Sequence, residues 1–462
     1  MQRPFDIPTD LDTPVSAWLK LGAFRPRFLL ESVEGAERLA RYSFLGFGDA
    51  VEIALDGDTL TIAGEARAAP RTTAELLDAL RDALRLAPRF EGVPAGVPLA
   101  GGLVGALGYD LVRRFENLHS RPPARSAGEP ELRLAGTTGL LVFDHLTRRA
   151  ALLAAGDETA RRALRADVIG ALRGPVPADG RRRRLAPPAA SLDRAAFAGG
   201  VERVKAAIRD GEVYQLVLSV RSEGECELPP FEVYRALRLL NPSPYMYFLD
   251  FGDLQVVGSS PEALVRLEGR EAALRPIAGT RPRGADDDED RHLERELLDD
   301  PKEAAEHVML VDLARNDLGR VAQPGTVRVE PSRIIERYSH VMHLVSGVRG
   351  VLAPDRDAFD LLAATFPAGT VVGAPKVRAM ELIDELEPVG RGLYAGTVGY
   401  FGRGGSMDQA IAIRTLTFRE GRYAYQAGAG IVADSDPERE HDEVRSKSAV
   451  LARALELAAE GL

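Results

Sequence analysis

The chain has 462 residues, 45% of them hydrophobic and 28% charged, with a formal charge of −10. That is an ordinary globular composition, long enough for more than one domain. The acidic balance and lack of a basic patch argue against nucleic acid or a membrane surface as partner, and the lone Cys226 excludes an internal disulfide or a cysteine metal cluster.

No apolar run is long enough to span a bilayer, and MQRPFDIPTD is no signal peptide, so the cytoplasm is the expected compartment. Up to about residue 150 the sequence mixes short strand-like runs with turns. Phe28-Leu29-Leu30-Glu31-Ser32 is an apolar run ending in polar groups. Val51 to Leu55 and Leu60 to Ile62 flank Asp56-Gly57, a hairpin signal. Thr73 to Leu86 has helical periodicity. GGLVGALGYD, from Gly101 to Asp110, lacks the spacing of a phosphate-binding loop and suits closely packed strands. Residues 157 to 172 read as a helix. GPVPADGRRRRLAPPAAS, 174 to 191, reads as a linker whose Arg181 to Arg184 run is solvated.

From Leu192 the elements come faster. Asp193 caps a helix through Arg209, Tyr214 to Val220 is a strand, and Pro230 to Leu240 is a helix. Val256 to Glu262 is a strand ending in a turn, and Arg275 to Gly284 is a turn-rich basic loop. Helices follow over roughly 290–318, 356–366, 375–386 and 437–459, with strands over 341–348, 395–402, 409–418 and 423–432. Strands in consecutive hairpin-like runs point to an α+β fold, not a doubly wound parallel sheet.

Two helices carry the same pattern. Pro301 follows the N-cap candidates Asp299 and Asp300, and Glu303, Glu306 and His307 lie at i, i+3 and i+4 on one face. Pro437 follows Asp436, and Glu440 and Glu443 repeat the spacing, with Lys447 one turn on. Two facing E-x-x-E helices suit Mg²⁺ bound through carboxylates and water; a solvated acidic face is the other reading. His340 and His343 lie in an apolar strand, on opposite faces, where one could face a pocket as a proton carrier. Arg414 ends the apolar run Ala410 to Ile413 and needs an anionic partner, either a structural acid or a substrate carboxylate. Gln426-Ala427-Gly428-Ala429-Gly430 offers bare backbone N–H groups to an oxyanion. Taken together, these residues suit a magnesium-dependent enzyme acting on a small polyanionic carboxylate.

The segments PIAGTRPRG, EHVMLVDLARND, YSHVMHLVS, PAGTVVGAPKVRAM and QAGAGIVADSDPEREHDE, in this order, resemble the chorismate-utilising enzymes, and among them the anthranilate synthase large subunits. The resemblance runs from about Phe197 to Ala458, with a weaker match before it. It implies an α+β complex fold whose core is two packed antiparallel sheets flanked by helices. It implies an N-terminal domain over 1–173, a linker over 174–191 and a chorismate-binding domain over 192–462. The implied reaction adds ammonia at ring C2 of chorismate, expels the 4-hydroxyl and eliminates pyruvate, leaving anthranilate for tryptophan biosynthesis.

Carried over position by position, the resemblance makes Glu306 and Glu443 the Mg²⁺ ligands, with Glu303 and Glu440 in support. Gly428, Ala429, Gly430 and Lys447 would hold the ring carboxylate, and Arg414 and Tyr394 the enolpyruvyl carboxylate. Gly279, Thr280 and Thr370 would line the ring pocket. Glu262 resembles the acid beside the departing hydroxyl, and His343 the histidine needed for pyruvate elimination. Gln215 stands where water-using relatives carry a lysine base, and Ala278 where aminodeoxychorismate synthases often carry a lysine nucleophile; both favour ammonia and anthranilate. Val372 departs from the serine common in the family. Glu31 and Ser32, with Asn241, Pro244, Tyr245 and Met246 of NPSPYM, resemble paired segments that bind tryptophan as a feedback inhibitor. Cys226, in EGECELPP, does not resemble a glutaminase nucleophile, so ammonia is expected from a separate glutamine amidotransferase subunit, in a heterotetramer of two large and two small subunits.

Overall fold

The computed structural model describes residues 5–33, 41–120, 122–123, 129–177, 184–337 and 341–462. His340 and most of the Arg181 to Arg184 run lie outside them. Ten α-helices fall within the described residues: Pro14–Lys20 (α1), Thr73–Leu86 (α2), Glu158–Leu172 (α3), Arg194–Arg209 (α4), Pro230–Leu240 (α5), Asp287–Asp299 (α6), Pro301–Gly319 (α7), Ala358–Thr365 (α8), Lys376–Leu386 (α9) and Pro437–Glu460 (α10). The local signals set their starts. Asp300 accepts from the Lys302 and Glu303 N–H groups ahead of α7, and Asp436 from those of Glu438 and Arg439 ahead of α10. Each helix then begins on a proline, whose missing N–H has no bond to lose there. None of the described helices is long and apolar enough to cross a membrane.

The strands pair antiparallel and fall into two layers that share two long strands. In the first layer Gly102–Leu107, Thr397–Gly402, Met407–Ile411, Ala263–Glu268, Glu271–Leu274 and Val348–Val351 pair in that order. In the second, the order is Pro26–Glu31, Tyr245–Asp250, Gln255–Ser260, Thr415–Arg419, Arg422–Ile431 and Gln215–Glu225. Tyr42–Asp56 and Leu132–Asp144 pair with each other along their length and belong to both layers. The corner between layers lies where their register shifts between Phe47 and Ala50, and Gly48 there has φ +89°. A separate three-stranded sheet joins Ile277–Pro282, Val341–Val345 and Ile334–Arg337.

Alternation along each strand sends side chains to two cores. Val104, Ala106, Val398 and Tyr400 of the first layer meet Phe28, Tyr247, Leu249 and Val256 of the second between the layers. Their neighbours Leu29, Met246, Phe248 and Val257 face outward onto Trp18, Phe231, Tyr234, Leu451 and Leu455. Leu103 and Leu107 face outward on the other side, in one core with Leu76 and Leu80 of α2 and Phe359 and Leu362 of α8. The glycine-rich run is therefore a closely packed strand: a Cβ at Gly105 would run into the Arg133 carbonyl and the Leu134 Cα. Gly105→Ala is expected to destabilise the protein by ~1–3 kcal/mol, read as a lowered midpoint of denaturant unfolding.

Four sequence expectations need correction. The strand expected over 409–418 is two, Met407–Ile411 and Thr415–Arg419, because the chain crosses between layers there, with Arg414 at φ +49°. The helix expected over 290–318 breaks at Asp300, which closes α6 and caps α7, since Pro301 cannot continue the backbone ladder. The basic loop is an edge strand, Ile277–Pro282, whose register shifts at Gly279, φ +66°. The strand over 341–348 stops at Val345, and Val348–Val351 joins the first layer instead.

Candidate active site

The crossover that breaks the expected strand also builds the site. Arg414 sits in it half-buried, and burial lowers its guanidinium from the ordinary value. Among the described residues it has no carboxylate partner. Its side chain donates from Nη1 to the Asn241 amide oxygen at 3.5 Å. Its positive charge reaches His343, which burial first, and then Arg414, lower, while the Gly279 carbonyl pulls the other way. His343 Nδ1 lies 3.3 Å from that carbonyl and 3.0 Å from Thr280 Oγ1. A carbonyl only accepts, so Nδ1 carries the proton when it bonds there, and the basic lone pair is on Nε2. Thr280 and His343 are cross-strand partners, which is why they meet.

Glu262 closes another side. Thr370 donates to its Oε1 at 3.1 Å, from the turn Gly369–Val371. Burial lifts the Glu262 carboxyl to about 7, against the opposing pull of the Thr370 hydroxyl and Lys447. Its backbone carbonyl accepts from Ile411, three residues before Arg414. Lys447 of α10 bonds the Gly428 carbonyl at 3.1 Å and Glu443 at 2.7 Å.

The strand Arg422–Ile431 has one edge on Gln215–Glu225 but loses its other neighbour after Tyr425. Val217 and Ser219, opposite Gly430 and Gly428, send their N–H groups away from this strand, to the Val372 carbonyl and Glu387. Gly428 and Gly430 therefore turn their own N–H and C=O groups to the open edge beside Lys447, and Ala429 turns its groups into the ladder. A Cβ at Gly428 would lie 2.7 Å from Tyr394 Oη, and one at Gly430 would lie 2.5 Å from Gln215 Nε2. Tyr394 is buried, which lifts its phenol to about 12.

α7 and α10 bring their acids together. Burial raises Glu306, and Glu303, Asp300 and Glu443 raise it further against Lys302. Burial also raises Glu440, with Glu443 adding to it and Ser435, Lys302 and Lys447 opposing. Burial and neighbouring carboxylates oppose ionisation of Glu306 and Glu440, and a cation between them and Glu443 would relieve that opposition, so this donor set fits one. Glu303 already has a cation, Arg281, at 3.3 Å. Among the described residues no three such side chains are gathered as a finished cage.

Glu31, Ser32 and NPSPYM also meet. Glu31 pairs with Met246 across neighbouring strands, and its carboxylate accepts from Tyr234 and from Arg238. Ser32 Oγ is buried and has no hydrogen-bond partner among the described residues. Asn241 bonds Ser259 and Ser243, while Tyr245 Oη is taken up by Asp408 and Arg266.

A family model described as chorismate binding enzyme matches residues 25–453. Anthranilate synthase component 1 of Thermus thermophilus is 46% identical over 464 residues, covering 98% of this chain and 97% of that one. This chain belongs to the chorismate binding enzymes. Another relative in the family, anthranilate synthase component 1 of Streptomyces coelicolor, is 46% identical, over 96% of this chain and 87% of its own. Among solved chorismate binding enzymes, anthranilate synthase component I from Streptococcus pneumoniae superposes with a TM-score of 0.80 at 35% identity, covering 98% of this chain and all of that one. The menaquinone-specific isochorismate synthase from Escherichia coli shares the fold, with a TM-score of 0.70 at 21% identity.

Sequence reasoning missed the support beneath these residues. Arg391 is fully buried and bonds Glu387, the Val371 carbonyl at 2.7 Å and the Val217 carbonyl at 2.8 Å. Its guanidinium also lies 5.4 Å from the Tyr394 ring centre. Lys376 bonds Asp317 at 2.7 Å, tying PAGTVVGAPK to LARND. Lys376 and Asp317 lie inside the segments PAGTVVGAPKVRAM and EHVMLVDLARND, which is the signal the sequence offers for them; Arg391 lies in no such segment.

Proposed function

We propose that this chain converts chorismate and ammonia to anthranilate and pyruvate, as the large subunit of an anthranilate synthase. The observation that carries the reading is Arg414, a half-buried guanidinium with no carboxylate of its own among the described residues, next to His343. Chorismate brings two carboxylates. Arg414 and Tyr394 suit the enolpyruvyl one. Lys447 and the open-edge N–H groups of Gly428 and Gly430 suit the ring one, with Ala429 shaping the strand between them. Gly279, Thr280 and Thr370 line the ring pocket in this reading.

Gln215 lies beside Gly430, where an amide cannot deprotonate water. Ammonia attacks without such a base, which favours it at C2. Glu262, with its carboxyl at about 7, holds a proton near neutral pH and hands it to the departing 4-hydroxyl. His343 then takes the ring proton through Nε2 as the enolpyruvyl group leaves. Mg²⁺ bound by Glu306 and Glu443, with Glu303 and Glu440 beside them, would set positive charge against the ring carboxylate and ease loss of the hydroxyl. Cys226 is buried, which pushes its thiol up, so it makes a poor glutaminase nucleophile. We therefore assign ammonia delivery to a separate glutamine amidotransferase subunit, in a cytoplasmic complex of two large and two small subunits.

Incubation with chorismate, Mg²⁺ and ammonium at alkaline pH should yield anthranilate, read by fluorescence, together with pyruvate. Neither product appearing would falsify the reading. Release of an amino intermediate that keeps its enolpyruvyl group would instead identify an aminodeoxyisochorismate synthase.

We further assign residues 1–173 to a regulatory domain, 174–191 to a linker and 192–462 to the catalytic domain. Tryptophan binds between the domains at Glu31, Ser32, Asn241, Pro244, Tyr245 and Met246. The Ser32 hydroxyl, buried and without a hydrogen-bond partner among the described residues, supports this, because it offers a group to the amino acid. Added tryptophan should lower the rate, and Ser32→Ala should raise the concentration needed for half-inhibition at least tenfold. An unchanged inhibition curve in Ser32→Ala removes Ser32 from the site.

A further inference from the structure

We propose that His307 is a positioning residue whose hydrogen bond to Ser346 sets the helix bearing Glu303 and Glu306 against the strand bearing His343. His307 stands next to Glu306 in α7, yet it points inward and is 1% exposed. Its Nε2 lies 2.6 Å from Ser346 Oγ. Ser346 is fully buried and follows His343 by three residues. Its hydroxyl also accepts from the Arg333 N–H at 2.9 Å, and its own N–H donates to the Pro276 carbonyl at 3.1 Å. This one serine thus joins α7 to the end of the His343 strand, to the turn at Arg333, and to the start of the Gly279 strand.

Filling the core does not explain the imidazole. His307 Nδ1 is buried with no hydrogen-bond partner among the described residues, which counts against stability. Leucine would fill similar space on a helix and leave no nitrogen unpaired. What leucine cannot do is reach Ser346 Oγ and fix the rotation and height of α7 at that turn. Glu306 is the adjacent residue, so a small roll of the helix moves its carboxylate relative to Glu443 and His343. Catalytic geometry is sensitive to displacements of about 1 Å.

The inference rests on the reading of Glu306 and Glu443 as metal ligands, and the test separates the two. Mn²⁺ is titrated into the full chain and followed by its paramagnetic resonance signal, beside steady-state kinetics with chorismate and ammonium. His307→Leu should weaken Mn²⁺ binding by about tenfold or more, the scale seen when groups that orient metal ligands are lost. Its kcat/KM should fall by at least as much. His307→Gln, whose amide nitrogen can take the place of Nε2, should restore most of both. Ser346→Ala should match His307→Leu, and the double variant should be no worse than either single one. Where the leucine variant does not fold, the Gln and Ser346→Ala variants carry the test. Wild-type Mn²⁺ binding in Ser346→Ala and His307→Leu overturns the positioning role and leaves the metal reading intact. A wild-type chain that binds no Mn²⁺ overturns the metal reading itself.

Discussion

Glu262→Gln should lower turnover by about three orders of magnitude, within the usual contribution of a positioned general acid, and should make the protein more stable at pH 8. The two effects share one cause. Burial lifts this carboxyl from 4.5 to about 7, so the folded chain holds the proton more tightly than the unfolded chain. The folded state is therefore favoured below 4.5 and loses that advantage as pH rises toward 7. At pH 8 the ionised carboxylate costs the fold ~3 kcal/mol, from ~1.4 kcal/mol for each tenfold change in proton affinity. Glutamine keeps the shape and an acceptor for the Thr370 hydroxyl and removes the charge. Denaturant unfolding at pH 5 and pH 8 checks this: the gain should be large at pH 8 and small at pH 5. A variant equally destabilised at both would show Glu262 to be a structural hydrogen-bond partner. In the wild type, kcat at saturating ammonia should fall as pH rises through about 7, as Glu262 ionises.

Arg414→Met should reduce kcat/KM for chorismate by about 10²–10⁴-fold, the loss of two hydrogen bonds to a charged group at ~1.5–3 kcal/mol each. Most of the change should appear in KM, because the carboxylate is gripped before and during the reaction. The stability outcome separates the two explanations of a buried arginine. Removing half of a structural ion pair costs ~3–5 kcal/mol, since it strands a charge. Arg414 has no carboxylate to strand among the described residues. The methionine variant should therefore unfold at the same denaturant concentration as the wild type, or a higher one.

What could be read in the sequence was what is decided locally. Asp300-Pro301 and Asp436-Pro437 announce helix starts because capping and proline chemistry act within a few residues. The E-x-x-E spacing follows from the helical repeat. The same repeat misleads for His307. Adjacent residues differ by about 100° around the axis, enough to leave Glu306 half-exposed while His307 turns into the core. The Arg414 crossover was hidden because both flanking runs look like strand, and only pairing with distant partners shows that they belong to different layers. Arg391, in VGRGLY, looks like a turn arginine, and its burial against Glu387 depends wholly on tertiary packing. Gly428 and Gly430 were visible as glycines, but which backbone groups they expose depends on register.

The long shared strands Tyr42–Asp56 and Leu132–Asp144 also govern what becomes of the chain if it is divided. Residues 192–462 made alone would lose Pro26–Glu31, the neighbour of Tyr245–Asp250, and Gly102–Leu107, the neighbour of Thr397–Gly402. Each loss uncovers a mostly buried strand with bare N–H and C=O groups along one side. Such edges recruit further strands. A protease cut within 174–191 of the folded protein should therefore leave two pieces that stay together through purification. The same two pieces made separately should precipitate, and regain the fold only when they meet before either aggregates.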